Sequence, residues 1–351
     1  MKNGSMSWND MLFSEIEIAQ LFSDAAMLSR FATFEAALVL AMADAGMVPV
    51  ARAAAVAGKI MAFSPDLELI RRAMPQDGIA GPEYIRQLRS HVGIDGDSLV
   101  HRGATSQDLV DTTTLQAFRS ANRILAIRLS ETISALDALA ERDGDAVLMS
   151  HTRLQPAIPI RARDRIDAWT RPLSQMETAF PALRRKLEVL QFGGPVGNLD
   201  SFGQHGPAVA RALGGRLSMP WPGFCWHTDR SAMAAYAGFL SGLTAALGKI
   251  GLDIALMADR GGEIALAGGG SSSAMVHKAN PVNAERLVTL ARFNATLISG
   301  QHHALLHEQE RSGSAWMLEW MILPQMVETT AVALTTTIDV LACVQHIGSR
   351  L

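Results

Sequence analysis

Two cysteines, Cys225 and Cys343, occur in 351 residues, far apart and in no metal-binding or redox spacing. This excludes a disulfide framework and fits a reducing cytosol, so a cytoplasmic protein is expected. Tyrosine is nearly absent, at two residues, and β-branched runs are scarce, while alanine, leucine and methionine dominate. That balance favours helix over sheet. Neither sign of charge is in excess: 31 Lys and Arg stand against 34 Asp and Glu, a net charge of −3. No basic surface argues for nucleic acid. The opening MKNGSMSWND has no apolar core of a signal peptide. The most apolar stretches are broken by Glu35, Asp44, Lys249 and Asp253, so no membrane span is expected. The length suffices for one large domain or two to three smaller ones, with ample core.

Among what is present, Gly268 to Glu285, GGGSSSAMVHKANPVNAE, organises the rest. Three glycines running into three serines give a loop with high backbone entropy. Asn280-Pro281 then reads as an N-cap and first helical residue. A helix N-terminus favours anions, and Lys278 adds a full positive charge beside it. Hydroxyls on a pliable loop next to a fixed anion site suggest a lid closing on a carboxylate. The plainer alternative is a Gly/Ser linker that happens to precede a helix.

Residues 11–50 carry two helical patterns separated by LFSD, the second ending at Gly46. Pro65, Pro75, Gly78, Gly81, Pro82 and Gly93 punctuate short helices and turns up to Gly96. A small helical domain, 1–110, is expected ahead of a long-helix domain, 111–351. Beyond HRGATSQDLVDTTT (His101 to Thr114), a helix starting near Asp111 or Thr112 has apolar residues at 115, 118, 121, 125, 129, 133, 136 and 139. A second is expected from Ile158 to Val189 and a third from Asp229 to Asp259. The third carries an apolar seam from Leu240 to Met257 in steps of three and four. Gly238, Gly242, Gly248 and Gly251 inside it require close approach of neighbours, expected between subunits. A fourth begins at Pro281 and a fifth near Trp320.

SSSAMVHKANPVNAE resembles the SSxMPxKxNPxxxE signature of the fumarase/aspartase superfamily, with Val276 in place of Pro and Ser271 in place of Gly. HRGATSQDLVDT is similar to that superfamily's HxGxTSxDxxDT. The resemblance implies an all-α fold: a bundle of five long helices per subunit, twenty in a homotetramer. It also implies a shortened C-terminal region and active sites shared between subunits, with no cofactor and no metal. By position in the signatures it puts the proton-transfer serine at Ser272, with His101 as second candidate. It turns Thr105, Ser106 and Gln107 to the substrate, along with Gln155, Ser273, Met275, Lys278, Asn280 and Glu285.

SHTRLQPAIP (Ser150 to Pro159) resembles the superfamily's GRTHLQDATP, but the imidazole position falls on Arg153, with His151 two residues earlier. A lyase expelling an amine or alkoxide-like group needs an acid there. A carboxylate leaving group, whose conjugate acid ordinarily titrates near pH 4, does not. In the reverse sense, an ionised carboxylate adds to a double bond of its own skeleton without a base. Only one proton transfer, at a carbon α to another carboxylate, then remains. That is lactonisation of a muconate, and Arg153 is free to hold a carboxylate. HEQERSGSAWMLEWMILPQ (His307 to Gln325) and PWPGFCWHTDR (Pro220 to Arg230) resemble segments of the muconate-lactonising branch. The expected substrate is thus a small polycarboxylate, 3-carboxy-cis,cis-muconate. Glu285, which partners the replaced imidazole in related lyases, is expected to pair with Arg153 or to orient the loop. An adenylosuccinate- or argininosuccinate-type lyase is the second reading, and a non-catalytic oligomer on the same fold the third. His302, His303 and His307, placed on the fourth helix, lack the HExxH order and a third ligand for zinc. The glycine run lacks phosphate-loop spacing.

Overall fold

The structure, a computed structural model, describes residues 7–271, 275 and 279–349. It is all-α apart from two short antiparallel ribbons. Helices α1 (Asp10–Phe13), α2 (Ile16–Leu21) and α3 (Asp24–Asp44) open the chain. The break at LFSD arises because Ser23 caps α3, accepting the Ala26 N–H at 3.3 Å. Gly46, at φ 75, then reverses the chain so that the Met47 N–H reaches the Met42 carbonyl. Helices α4 (Val50–Met61), α5 (Leu67–Asp77) and α6 (Gly81–Val92) follow.

Helix α7 (Ser106–Asp143) begins five residues before the expected Asp111. Thr105 is its extended N-cap, and Asp108 accepts the Thr105 N–H at 3.0 Å, half of a capping box that the spacing T-x-x-D already contains. Its stripe Leu115, Phe118, Ala121, Leu125, Leu129, Leu136 and Leu139 is buried as expected, with Ile133 partly so. Strands β1 (Val147–Thr152) and β2 (Gln155–Arg161) form a hairpin where the second long helix was expected to start, with Pro159 and Ile160 opposite Met149 and Leu148. That helix, α8 (Ala162–Leu187), instead starts where Asp164 accepts the Arg161 N–H.

After α9 (Gly206–Leu217) comes α10 (Ser231–Arg260), whose seam Leu240, Leu243, Leu247, Ile250, Ile254 and Met257 is fully buried. Strand β3 (Ile264–Leu266), α11 (Val282–His303), α12 (Ser314–Cys343) and β4 (Val344–Ile347) complete the order. A Cβ on Gly248 would lie 2.5 Å from the Ala291 Cβ, and one on Gly251 2.5 Å from the Ala284 carbonyl. These two glycines therefore serve the α10–α11 contact within one chain, not the seam between subunits that was expected. Gly238 faces open space and Gly242 meets only Met176. Asn280 does not cap α11. Its backbone pairs with Gly270 (2.9 and 3.0 Å), and Pro281 occupies the N-cap position. Helix α12 starts at Ser314, six residues before the expected Trp320, and His307 lies beyond the end of α11.

Three stretches, Ile16–Asp44, Ser231–Arg260 and Ser314–Cys343, are by length and composition apolar enough to cross a membrane, contrary to the reading that their charges rule them out. In an apolar 18-residue window of each, 44–67 % is buried inside the bundle.

Candidate active site

At 1.5 Å per residue the 38 residues of α7 span about 57 Å, and this length divides the signature segments between two poles. The segment 101–108 lies at the start of α7. The start of α12 is there too: Arg311 donates to the Thr105 hydroxyl and the Trp316 indole to Asp111 (2.8 Å). At the far end, four residues past α7, the hairpin β1–β2 begins. The Arg142 guanidinium there meets the Val344 carbonyl, and Ala267 N–H donates to the Cys343 carbonyl at 2.7 Å. Ala267, where the segment toward α11 leaves β3, thus shares the hairpin's pole.

At the first pole His101 sits at φ 57, a left-handed backbone that costs a non-glycine residue about 1–2 kcal/mol. Fully buried Glu35 on α3 holds it there, accepting the His101 N–H at 2.7 Å and facing Nδ1 at 2.6 Å. Burial pulls the His101 pKa down, but the Glu35 carboxylate more than offsets it and the net shift is upward. With Nδ1 engaged, Nε2 is the edge available to a substrate, and the charged ring can act as an acid. Thr105 is buried and Ser106 half-buried at the helix start. Gln107, expected to face the substrate, is buried and its amide donates to the His227 carbonyl (2.9 Å) and to Asp111.

Asp108 is the hub of this pole. Its carboxylate accepts N–H groups from Thr105, Gly193 and Gly194 (2.9–3.0 Å) and faces His227 Nε2 at 2.9 Å. Burial lowers the His227 pKa, while Asp108 and the neighbouring Cys225 raise it, to about 9. A second buried hub is Arg230, 2 % exposed, which bonds Asp111 (2.7 and 3.2 Å) and Glu319 (2.5–3.1 Å). Burial raises the Glu319 pKa against the pull of Arg230. Removing any one of the three would strand buried charge, so the triad fixes how α7, α10 and α12 begin together. Of these residues, Asp108 had a sequence signal in its capping box, and Asp111, Arg230 and Glu319 lie within the motifs. Nothing local marks Glu35, a charge among the apolar positions of α3.

At the second pole Arg153 and Leu154 form the hairpin turn, both at positive φ (49 and 64), and Arg153 and Gln155 are exposed. Met275 is exposed and Asn280 half-buried. Glu285 is exposed on the first turn of α11, and no ion pair joins it to Arg153 within one chain. Ser272, Ser273 and Lys278 lie outside the described residues. One chain therefore brings His101, Thr105, Ser106 and Gln107 together, and separates them from Arg153, Gln155, Asn280 and Glu285.

The lyase family's sequence pattern matches residues 8–295, and the chain belongs to that family. Within it, the chain is 33 % identical over 339 residues to the 3-carboxy-cis,cis-muconate cycloisomerase of Pseudomonas aeruginosa, covering 95 % of this chain and 74 % of the relative. The enzyme of the same name from Acinetobacter baylyi is 31 % identical, with coverages of 94 % and 75 %. The crystal structure of 3-carboxy-cis,cis-muconate lactonizing enzyme from Pseudomonas putida superposes with a TM-score of 0.90 at 31 % identity, over 97 % of this chain and 77 % of that one.

Proposed function

We propose that the chain is a cycloisomerase that lactonises 3-carboxy-cis,cis-muconate. The observation that carries this reading is Arg153, exposed on the hairpin turn at the position where the superfamily signature has its imidazole. A guanidinium there holds a carboxylate and transfers no proton. A carboxylate oxygen of the substrate attacks a carbon of its conjugated skeleton, forming the ring C–O bond. The electron pair moves to the carbon α to another carboxylate, as an enediolate-like intermediate, and one proton delivered to that carbon completes an isomerisation with no atom gained or lost. Ser272 or the Glu35-charged His101 supplies the proton. Lys278, Asn280, Thr105, Ser106 and Arg153 hold the carboxylates and offset the developing charge.

The two poles of one chain stand about 57 Å apart along α7, which supports sites shared between antiparallel copies in a homotetramer. The free cysteines accord with a cytoplasmic enzyme. Loss of diene absorbance with 3-carboxy-cis,cis-muconate, run beside adenylosuccinate and fumarate, tests the reading. Turnover of the muconate alone is expected, and turnover of adenylosuccinate or fumarate in its place would overturn it.

A further inference from the structure

His151 and Glu263 meet across the two ribbons of the second pole. His151 lies on β1 two residues before Arg153, and its Nε2 stands 3.7 Å from Oε1 of Glu263, the residue just before β3. By the period of two, Met149 and His151 share a face of β1, yet Met149 is exposed while the His151 side chain is only 10 % exposed. Between them the register shifts: Met149 pairs with Pro159 but His151 with Pro156, so β2 carries one extra residue opposite Ser150. A bulge of this kind adds twist and re-aims the side chains beside it. Arg260 Nη1, 3.8 Å from Oε2, holds Glu263 from the end of α10. The foot of the hairpin is tied to β3 as well. Ser349 exchanges hydrogen bonds with Val147 (2.9 and 3.1 Å), and the Gly348 N–H donates to the Glu263 carbonyl at 2.8 Å. Beyond that foot, β2 is exposed from Gln155 to Pro159. At about 3.3 Å per residue, Arg153 stands about 20 Å past Val147 but only about 7 Å past His151.

We infer that His151 is a positioning residue for Arg153. Leaning on Glu263, its imidazole braces the hairpin close to the turn and so sets where the Arg153 guanidinium meets the substrate. This role presupposes that Arg153 holds a substrate carboxylate, as proposed above. A hairpin fixed at its foot alone would swing Arg153 on the full arm, and a misplacement of about 1 Å at a reacting centre can cost as much as a hundredfold. His151 transfers no proton here. It serves through a donor at the Nε2 position, which the amide of a glutamine reproduces and that of the shorter asparagine does not.

A double-mutant cycle on the intact assembled protein, with 3-carboxy-cis,cis-muconate as substrate, tests this. His151→Asn should raise KM at least about fivefold with kcat within about twofold, and His151→Gln should recover most of that loss. In an Arg153→Ala background, His151→Asn should cost nothing further, because the group it positions is gone. Glu263→Ala reaches the same contact from its other side and should repeat the His151→Asn pattern, so it decides if changes at 151 prevent folding. An unchanged KM in His151→Asn, equal losses in the Asn and Gln proteins, or losses at 151 and 153 that simply multiply would overturn this role while leaving Arg153 its own. An Arg153→Ala protein with unchanged KM would overturn both this role and the carboxylate contact on which it stands.

Discussion

Replacing His227 by glutamine removes an imidazolium from Asp108 while keeping a side chain of polar character in the space. His227 is 3 % exposed, so solvent screens the pair little. Its pKa of about 9 lies some 2.5 pH units above the ordinary 6.5, and at 1.36 kcal/mol for each unit the charged form contributes about 3 kcal/mol to folding. The sign follows from the upward shift. The contribution is complete below the unfolded value near 6.5 and is lost as pH rises through 9 in the folded protein. With an unfolding entropy of roughly 2.1 cal/mol/K per residue, 351 residues convert this to about 4–5 °C in Tm. Thermal unfolding of wild type and His227→Gln between pH 6 and 10 is the assay. The gap between them at pH 6.5 should exceed that at pH 9.5 by about 4 °C, on top of a pH-independent packing loss. A gap constant across this range would refute the assignment of a charged His227 to the Asp108 hub.

Glu35→Gln should lower the His101 pKa, since the carboxylate is what raises it, and so move the alkaline limb of the kcat/KM profile to lower pH; an unmoved limb would remove His101 from proton transfer. Ser272→Ala should reduce turnover by at least about a hundredfold with an unchanged helical circular dichroism spectrum, if the serine is the proton donor. Gly251→Val places a branched side chain against the Ala284 carbonyl and Leu287, and should cost about 1–3 kcal/mol or more, read by denaturant unfolding. Arg153→Ala should raise KM more than it lowers kcat, by about ten- to a hundredfold for the loss of a charge-assisted contact, whereas Arg153→Lys should recover part of it.

The helices were legible because their apolar stripes are long and regular, as from Leu115 to Leu139 and from Leu240 to Met257. Their ends were less so. The start of α7 depended on a capping box hidden inside a signature, so Thr105 to Val110 read as part of a loop. The expected opening of α8 pairs as β2 against β1 instead, a long-range partner that helical spacing does not reveal. The seam glycines spoke for close approach, but spacing alone does not say whose backbone approaches, and Gly248 and Gly251 receive α11 of their own chain. The motif positions of the site could be read, whereas Glu35 could not, because one acid among the alanines of α3 gives no sign of the histidine that packs on it 66 residues later. Gln107, inside a signature, donates its Nε2 to the interior while its Oε1 finds no partner among the described residues.

The central claim is that each site combines one pole of a chain with the opposite pole of another, around a cyclising muconate. Mixing His101→Asn protein with Arg153→Ala protein, after dissociation and reassembly, tests it with one rate. With substrate held well below the wild-type KM, hybrid sites carrying neither change should return kcat/KM to about a quarter of wild type, from parents that each fall at least about tenfold below it. Mixed oligomers that form and stay as inactive as their parents would contradict it.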